Sequence, residues 1–438
     1  MKQILWFRRD LRVEDSALLH YANGEVLPIF IFDKNILDKL PKDDKRVTFI
    51  YDAVLKLKSD LQSLGLDLAI FYGYPKEIFS TLHNDFDEVL CSCDFDSYAI
   101  HRDKEIESIL PMQRYYDSFL IHPSQGLKAE DTPYKVFTPF YKNLMPLWDC
   151  DKIEEYTVGT KIKLLNYKFP NIPTLKSLGF QTQALPQFLY QTAQEVLDVF
   201  IPKLSDYHKA RDYFYMDGTS NLAVYLRFGL ISPKQVFNRI KKYPNSEFFI
   251  RELFWREFYS YILYHFPQSE FENFNGKDIV WKENKEHFKA WCEGKTGVAI
   301  IDAAMQHLNN TGMMHNRLRM IVASFLTKNL FLPWRWGEKY FALKLLDYEA
   351  SSNIGSWQWG ASTGADSVPY FRVFNPYTQS AKFDKEGLFI KSVLSELKES
   401  EPKLFHKENA LQSDMFLHYP PLIVNIKQSR QEAIEAFK

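Results

Sequence analysis

The segment from Gly312 to Thr363 holds the residues whose types and spacing are best suited to chemistry. Polar side chains occur there on helical patterns that are otherwise apolar, together with four of the nine tryptophans of the chain. The polar residues are His315, Asn316, Arg317, Arg319, Asp347 and Asn353, and the tryptophans are Trp334, Trp336, Trp357 and Trp359. Burying so many donors and acceptors without partners would cost folding free energy. The segment therefore predicts a cavity around a planar, polar ligand; the alternative is an aromatic helical core with ion pairs at its edges.

A second motif, Gly218-Thr219-Ser220-Asn221, comes directly before an apolar helical run. Hydroxyl groups and free backbone N–H groups at the start of a helix suit a phosphate group. An ordinary helix cap explains the same residues, and it is the preferred interpretation of this motif taken alone.

The run from Phe248 to His265 is predicted to be a helix that carries Glu252, Trp255 and Arg256. Glu252 and Arg256 are four residues apart, which is typical of an ion pair on a helix surface. A carboxylate beside a cavity could instead hydrogen-bond a substrate, and the spacing does not choose between the two.

Trp281, Trp334 and Trp357 lie in different predicted elements. Tryptophan is easily oxidised, so a chain of such side chains can pass electrons, but it is also an ordinary large core residue. From the residues alone, the core interpretation is preferred.

The elements that must position these residues are of two kinds. In the first part of the chain, apolar runs typical of buried parallel strands alternate with helical patterns, which predicts a doubly wound α/β domain over 1–125. The four runs are QILWF, VLPIFIF, LAIFY and DEVLCS, and no GxGxxG motif follows the first. A proline-rich connector is predicted over 126–185, and long amphipathic helices predict an all-α domain over 186–438.

Composition narrows the class of protein. Of the 438 residues, 46% are hydrophobic and 16% aromatic, which is ample for large cores and argues against disorder. The formal net charge of −1 by itself indicates neither nucleic acid nor a membrane as partner. No apolar run reaches about 18 residues, so no membrane span is expected.

The four cysteines are predicted to be structural thiols. Cys91, Cys93, Cys150 and Cys292 lack the spacing of a zinc or iron–sulfur site, so no metal is expected. Charged residues follow the first apolar run at once, unlike in a signal peptide, so a cytoplasmic location is predicted.

Nine motifs in order along the chain resemble those of the photolyase/cryptochrome family. They are LWFRRDLRVED, YKVFTPF, GTSNLAVYLRFGLISP, RELFWREFY, HNRLRMIVASFL, WRWGEKYF, SNIGSWQW, GADSVPYFRVFNP and YPPLIV. The resemblance covers essentially the whole chain and implies an all-α domain that binds FAD. It also implies light-driven repair of pyrimidine dimers in DNA, or light signalling by a relative.

The HNRLRM motif resembles the class I branch, which repairs cyclobutane pyrimidine dimers. The (6-4) photolyases carry a histidine-rich HHLARH there, in place of a motif with Asn316 and Met320. Asn353 matches the residue that faces flavin N5, where plant cryptochromes carry an acid and insect cryptochromes a cysteine. A neutral amide is compatible with the reduced flavin that repair requires. A cryptochrome-like blue-light photoreceptor without repair activity is the alternative.

The resemblance also assigns residues to the cofactor. Ala223 stands where many members have serine, so one hydrogen bond to the cofactor is expected to be missing. Arg319 and Asp347 are expected to form an ion pair beside the isoalloxazine ring. The residues expected to bind FAD are Tyr207, Thr219, Ser220, Asn221, Leu222, Ala223, Phe249, Arg256, Arg319, Asp347, Tyr348, Glu349 and Asn353.

The resemblance further implies the catalytic groups and the electron path. Glu252, Asn316 and Asn353 are the expected catalytic residues. Trp357, Trp334 and Trp281 are expected to be the proximal, middle and distal members of a photoreduction chain. The residues expected to contact DNA that contains a pyrimidine dimer are Arg211, Glu252, Trp255, Asn316, Arg317, Met320, Trp359 and Gln379.

Two positions depart from the family pattern. Met313 replaces a common tryptophan, which removes a stacking face, and its effect on substrate affinity stays open. His101 and Arg102 fall where folate-binding members often carry an Asn-Glu pair, so a folate site of that kind is not expected. The second antenna chromophore, a folate or a deazaflavin, stays open. The protein is expected to act as a monomer.

Overall fold

The computed structural model describes residues 1–148, 153–415 and 417–437. Its first eleven α-helices are α1 Ala17–Tyr21, α2 Lys34–Leu37, α3 Lys45–Ser63, α4 Pro75–Leu82, α5 Ser97–Glu107, α6 Phe137–Leu144, α7 Ala193–Phe200, α8 Tyr207–Ala210, α9 Ala223–Phe228, α10 Pro233–Ile240 and α11 Glu247–His265. The others that it describes are α12 Lys285–Glu293, α13 Ala299–Thr311, α14 Asn316–Ser324, α15 Trp334–Lys344, α16 Ala350–Ala361, α17 Pro376–Phe383, α18 Leu388–Val393 and α19 Ile426–Ala436. A π-helical turn, Phe325–Asn329, directly follows α14.

The strands that the structure describes form one parallel sheet. They are β1 Lys2–Phe7, β2 Gly24–Asp33, β3 Ala69–Gly73, β4 Glu88–Ser92, β5 Met112–Tyr115 and β6 Ile162–Leu164. Their order is β3-β2-β1-β4-β5, and β6 pairs with the first residues of β2. Because the order reverses at β1, chain connections lead outward in both directions, as in a doubly wound fold. The predicted fold class is confirmed.

The four predicted strands correspond to β1 to β4. Their buried residues form apolar runs because both faces of the sheet are covered there, and Ile4, Leu27 and Val89 are wholly buried in its core. The sequence pattern does not predict β5 or β6. Both are short, and the polar residues in MQRY and IKL interrupt the apolar pattern that identifies the other strands.

The RRDLR loop after β1 is buried, although the sequence alone allows a surface loop. Arg9 pairs with Asp94 at 2.8 Å, and Arg12 pairs with Asp117 at 3.2 Å. Gly229 ends α9 with a φ of 66°, and a Cβ there would overlap the backbone of Arg9. This close approach requires glycine, because the chain of the loop lies directly against the end of α9.

The chain divides into two compact units. One comprises Met1–Pro202 and Ser220–Pro267, and the other comprises Lys203–Thr219 and Gln268–Lys438. The first contains the sheet, and in the second the described residues form helices and turns without strands. The predicted limits 1–125, 126–185 and 186–438 were drawn from secondary-structure patterns, and they stay a prediction of domain organisation.

The core of the second unit is built mainly from α13 to α16. Ala304 and Leu308 of α13, Leu318 of α14 and Phe341 of α15 are buried in one cluster with Trp357 of α16. Gly337 of α15 lies directly against the indole of Trp357, and a Cβ at this position would overlap the ring. The glycine therefore allows α15 and α16 to pack closely.

Three of the four cysteines have protonated thiols at neutral pH. Burial raises the pKa of Cys91 to about 11 and the pKa values of Cys93 and Cys292 to about 12. These values are those of structural thiols. Cys150 lies outside the described residues. Over the described ranges, no helix has both the length and the apolar character needed to cross a membrane.

Candidate functional site

Helix α14 carries the HNRLRM motif. His315 caps its start, where Nδ1 accepts a hydrogen bond from the backbone N–H of Arg317 at 3.1 Å. Burial lowers the pKa of His315 to about 4, so the imidazole is neutral and can accept this bond. Asn316 and Met320 are four residues apart and share one face of the helix, with Asn316 Nδ2 4.0 Å from Met320 Sδ. The exposed amide of Asn316 is available to a ligand at this face.

Two arginines predicted to contact DNA are held by neighbours in the second unit. Arg317 Nη2 lies 2.6 Å from Asp212 Oδ1. The guanidinium of Arg211 lies over the ring of Tyr207, with 5.4 Å between its central carbon and the ring centroid. Both side chains are thereby restrained before any ligand binds.

The predicted ion pair between Arg319 and Asp347 is present. Arg319 Nη2 donates to Asp347 Oδ2 at 2.7 Å, and Arg319 Nε donates to the backbone oxygen of Met314 at 2.8 Å. The second carboxylate oxygen, Asp347 Oδ1, is buried and has no hydrogen-bond partner within the described chain. An unpaired buried acceptor is costly, so Asp347 Oδ1 marks a place that a ligand's donor group would suit.

Asn353 is buried on α16 and is oriented by Glu338 of α15. Its Nδ2 donates to Glu338 Oε1 at 3.0 Å and to the Glu338 backbone oxygen at 3.1 Å. Both amide hydrogens are thereby directed at Glu338, so the carbonyl oxygen is the end of the amide that can face a ligand. Burial raises the pKa of Glu338 above its usual range.

The three predicted relay tryptophans are brought together in the second unit. Trp334 and Trp357 are buried in its core cluster, and Trp281 packs against the same cluster. The Trp334 indole Nε1 donates to Asn273 Oδ1 at 2.8 Å. Trp291 adds a further indole, whose ring centroid lies 6.0 Å from that of Trp357. Membership of one cluster is compatible both with an aromatic core and with electron transfer among these indoles.

In the first unit, α11 carries Phe249, Glu252, Trp255 and Arg256. The Trp255 ring stacks on Phe137, with centroids 3.7 Å apart and an interplanar angle of 8°. Phe249 packs on Phe200. The side chains of Arg256 and Glu252 are half-buried, and Arg256 Nη1 donates to the Ser118 backbone oxygen at 2.8 Å. Trp255 is therefore a preformed flat platform.

The Gly218-Thr219-Ser220-Asn221 motif does not cap a helix with its side chains, so the simple-cap interpretation is wrong. Helix α9 begins at Ala223 with Leu222 as its cap, and no side-chain hydrogen bond is made there. The Ser220 hydroxyl instead accepts the backbone N–H of Leu222 at 3.3 Å. Asn221 adopts a left-handed φ of 56°, a conformation that is found disproportionately at ligand sites.

Family models match most of the chain. "DNA photolyase" matches residues 3–155, and "FAD binding domain of DNA photolyase" matches residues 249–438. The deoxyribodipyrimidine photo-lyase of Alkalihalophilus pseudofirmus is 34% identical, over 99% of this chain and 97% of the relative. The chain belongs to the DNA photolyase family.

Solved structures agree with this membership. An archaeal photolyase from Sulfolobus tokodaii, described with two FAD molecules, superposes with a TM-score of 0.88 at 33% identity, covering 100% of this chain and 99% of that one. A cryptochrome from Synechocystis superposes with a TM-score of 0.87 at 23% identity, covering 100% and 99%. At that identity, the cryptochrome supports the fold alone.

The photolyase-family FAD-binding domain has groups that fit a flavin. The buried, unpaired Asp347 Oδ1 can accept a hydrogen bond from a ring N–H, and the carbonyl oxygen of Asn353 can accept another. The Arg319 guanidinium beside Asp347 adds positive charge at the same place. These residues lie in the second unit, and the donor set that they form matches a polar, planar ring.

The other predicted residues of this photolyase-family chain have varied surroundings. Tyr207, Leu222 and Glu349 are buried, Thr219 and Tyr348 are half-buried, and Ala223 is exposed. Glu349 accepts a hydrogen bond from Ser352 at 3.0 Å. Trp359, Gln379 and Met313 are half-buried, and Gln379 Oε1 is another buried acceptor without a partner among the described residues. Their functional assignments stay predictions.

Four residues that matter for the site were not predicted. They are Phe137, Asp212, Asn273 and Glu338, which contact Trp255, Arg317, Trp334 and Asn353 respectively. Phe137 belongs to a motif used for the family resemblance, and Asp212 adjoins Arg211, so the sequence held weak signals for both. Glu338 also belongs to one of these motifs, WRWGEKYF, whereas nothing in the sequence points to Asn273.

Proposed function

We propose that this chain is a deoxyribodipyrimidine photo-lyase, which uses blue light to repair cyclobutane pyrimidine dimers in DNA by electron transfer from excited, reduced FAD. The observation that carries the proposal is the orientation of Asn353. Glu338 holds the NH₂ end of the amide, so the oxygen is left to accept a hydrogen bond from the N5–H that only a reduced flavin possesses. The 34% identity with a deoxyribodipyrimidine photo-lyase over nearly the whole chain supports the same function.

Asp347, Arg319 and Asn353 would hold the flavin ring. When bound, reduced and excited by light, FAD supplies the electron that opens the cyclobutane ring and receives it back afterwards. Thr219 and Ser220 offer hydroxyl groups that suit the diphosphate. The remaining proposed FAD residues are Tyr207, Asn221, Leu222, Ala223, Phe249, Arg256, Tyr348 and Glu349.

Glu252 and Asn316 would hydrogen-bond the polar edge of the dimer. Donors that are already in place stabilise developing negative charge without having to reorganise. Trp255 would pack on the dimer with its ring, which Phe137 already holds flat. Trp359 and Met320 would complete the apolar contacts.

The damaged nucleotides must leave the helix to reach such groups. Photolyases are among the enzymes known to take their target bases out of the stack. Arg211, Arg317 and Gln379 would contact the strand beside the lesion. Because phosphate contacts release counterions, binding should weaken as salt rises.

Trp357, Trp334 and Trp281 would deliver electrons that keep the flavin reduced. Their place in or against one hydrophobic cluster supports this path. The cytoplasmic location and the monomeric state remain predictions, and the identity of a second chromophore stays open.

The decisive experiment is repair of a duplex that contains one thymine dimer, by the reduced protein under blue light. We expect restored thymines in the light and none in the dark. Glu252→Ala should slow repair, whereas Glu283→Ala, an exposed position in the loop before α12, should leave it unchanged. Bound FAD that responds to light without any repair would overturn the proposal and favour the photoreceptor alternative.

A further inference from the structure

We propose that Asn273 is a positioning residue for Trp334: it keeps the indole proton in place while Trp334 is oxidised, so that the oxidised state moves on to Trp281. The inference rests on the electron path of the proposed function. It adds to that path a residue in the loop between α11 and α12, outside the tryptophans themselves.

The hydrogen bond between the two side chains is well defined. Trp334 Nε1 donates to Asn273 Oδ1 at 2.8 Å, and Trp334 is only 2% exposed, so water cannot readily replace this acceptor. Asn273 Nδ2 donates to the backbone oxygen of Lys277 at 2.7 Å. This second bond determines which end of the amide faces the indole, because only the oxygen can accept from the indole N–H.

The loop that carries Asn273 is tied to the helix of the proximal tryptophan. The backbone N–H of Phe274 donates to Gln358 Oε1 at 2.8 Å, and Gln358 Nε2 donates to the Ser269 backbone oxygen at 2.7 Å. Gln358 directly follows Trp357 on α16. Asn275 Nδ2 adds a bond to the Ser362 backbone oxygen at 3.1 Å. The amide of Asn273 is therefore held at a constant place relative to the tryptophans on both helices.

The chemistry depends on the fate of one proton. When Trp334 gives an electron to oxidised Trp357, its indole N–H becomes far more acidic. If a base removed that proton, the resulting neutral radical would have to regain it before accepting an electron from Trp281, and the oxidised state would be trapped. An amide oxygen accepts the hydrogen bond but is too weak a base to take the proton. One electron then moves at each step, and no bond to hydrogen breaks at Trp334.

A charged group, the Arg335 guanidinium, also lies over the Trp334 ring, but it does not remove the indole proton. The Arg335 guanidinium lies 4.5 Å from the Trp334 ring centroid. It is already fully protonated and has no acceptor atom, so it cannot take the indole proton. Its positive charge repels the positive charge of oxidised Trp334, and this favours electron transfer from Trp281.

The test stops the electron path at Trp334 with Trp281→Phe and compares Asn273 with Asn273→Asp in that background. The tryptophan radical is followed by transient absorption after a light pulse. With Asn273 present we expect the protonated radical cation. With Asn273→Asp we expect the neutral radical, and its lifetime should be longer by about tenfold or more, equivalent to about 1.4 kcal/mol in the barrier to its decay. A neutral Trp334 radical in Trp281→Phe alone, or identical radicals in both proteins, would overturn the proposal.

Two controls separate this inference from the proposed function. The first control is Asn284→Asp in the Trp281→Phe background, which adds the same charge in the same loop. Aspartate keeps the cap of α12, where Asn284 Oδ1 accepts a hydrogen bond from the His287 N–H. The radical in this double variant should therefore behave as it does in Trp281→Phe alone. Trp334→Phe should abolish photoreduction of the flavin. If photoreduction persists at its full rate, the electron path itself is wrong; if it is lost while the Asn273 comparison shows no difference, only the role of Asn273 is wrong.

The hydrogen bond between Asn273 and Trp334 can also be tested in the dark, without any reaction of the flavin. Exchange of the Trp334 indole proton with deuterium, followed by NMR, should be slow in the wild-type protein and faster by about fivefold in Asn273→Leu, as loss of a hydrogen bond of about 1 kcal/mol implies. An unchanged rate of exchange would contradict the positioning role.

Discussion

Asn353 Nδ2 donates to Glu338 Oε1 at 3.0 Å, and both side chains are buried between α15 and α16. The sequence positions of these two residues do not predict that they form a hydrogen bond. The bond leaves the acceptor end of the amide for a ligand, which matters because a reduced flavin presents a donor at N5. Replacing Glu338 tests this relationship.

Glu338→Leu should hold the Asn353 amide less firmly, because it removes the side-chain acceptor of Nδ2 and leaves only the backbone oxygen at position 338. Loss of a buried hydrogen bond of about 1 kcal/mol should lower repair efficiency by about fivefold. Reduced flavin should also oxidise faster in air, measured by its absorption spectrum. Glu338→Gln keeps an acceptor oxygen and should remain close to wild type. Equal behaviour of the leucine and wild-type proteins would contradict the role of Glu338.

Asp347→Asn should weaken FAD binding, because it removes the anion that Arg319 Nη2 approaches at 2.7 Å and replaces an acceptor oxygen by a donor. A hydrogen bond to a charged group is worth about 1.5–3 kcal/mol, so the dissociation constant should rise by at least about tenfold. Flavin content after dialysis and fluorescence titration measure the change. Asp278→Asn, at an exposed loop position, should bind FAD normally.

Arg317→Gln should weaken binding to damaged and undamaged DNA by similar factors, because a phosphate contact carries no lesion specificity. The slope of log K against log salt should become shallower by about 1. Fluorescence anisotropy at several salt concentrations measures both effects. Arg430→Gln, an exposed arginine on α19, serves as the matched control. An unaltered slope in Arg317→Gln would count against a phosphate contact.

Lys328 should make stability depend on pH. It is wholly buried in the π-helical turn, where Nζ donates to Ser362 Oγ at 2.9 Å, and burial lowers its pKa to about 7. Between that value and the ordinary lysine value near 10.5, the unfolded chain binds a proton that the folded chain does not. Stability from this residue therefore rises as pH rises from about 7 to about 10, and is unaffected by pH below that window.

Lys328→Met removes this titration. Relative to the variant, the wild-type protein should gain a few kcal/mol in free energy of unfolding between about pH 7 and 10, since each pKa unit corresponds to about 1.4 kcal/mol. Urea unfolding at a series of pH values measures the free energy of unfolding of both proteins. The contributions of the other titrating groups cancel when the two values are subtracted. Lys339→Met, an exposed lysine of α15, should show no such trend. A constant difference across the window would contradict the lowered pKa.

Much of the fold was predictable because it depends on local patterns. The buried residues of β1 to β4 form apolar runs, and the residues of α3 show a helical period. The short strands β5 and β6 were missed because pairing with a neighbour, rather than their own composition, makes them strands. The Gly218–Asn221 motif taken alone favours a helix cap, but α9 begins only at Ala223, with Leu222 as its cap.

The sequence by itself determined the class of fold, the family and the kinds of chemical group present, because apolar periodicity and motif order are properties of the chain alone. Only the tertiary structure decided the partners of those groups. Glu338 and Asn353 are 15 residues apart, and Asn273 and Trp334 are 61 apart. Which atoms meet across such separations depends on how helices and loops pack. Hydrophobic periodicity indicates which face of a helix is buried, but it does not indicate what lies against that face.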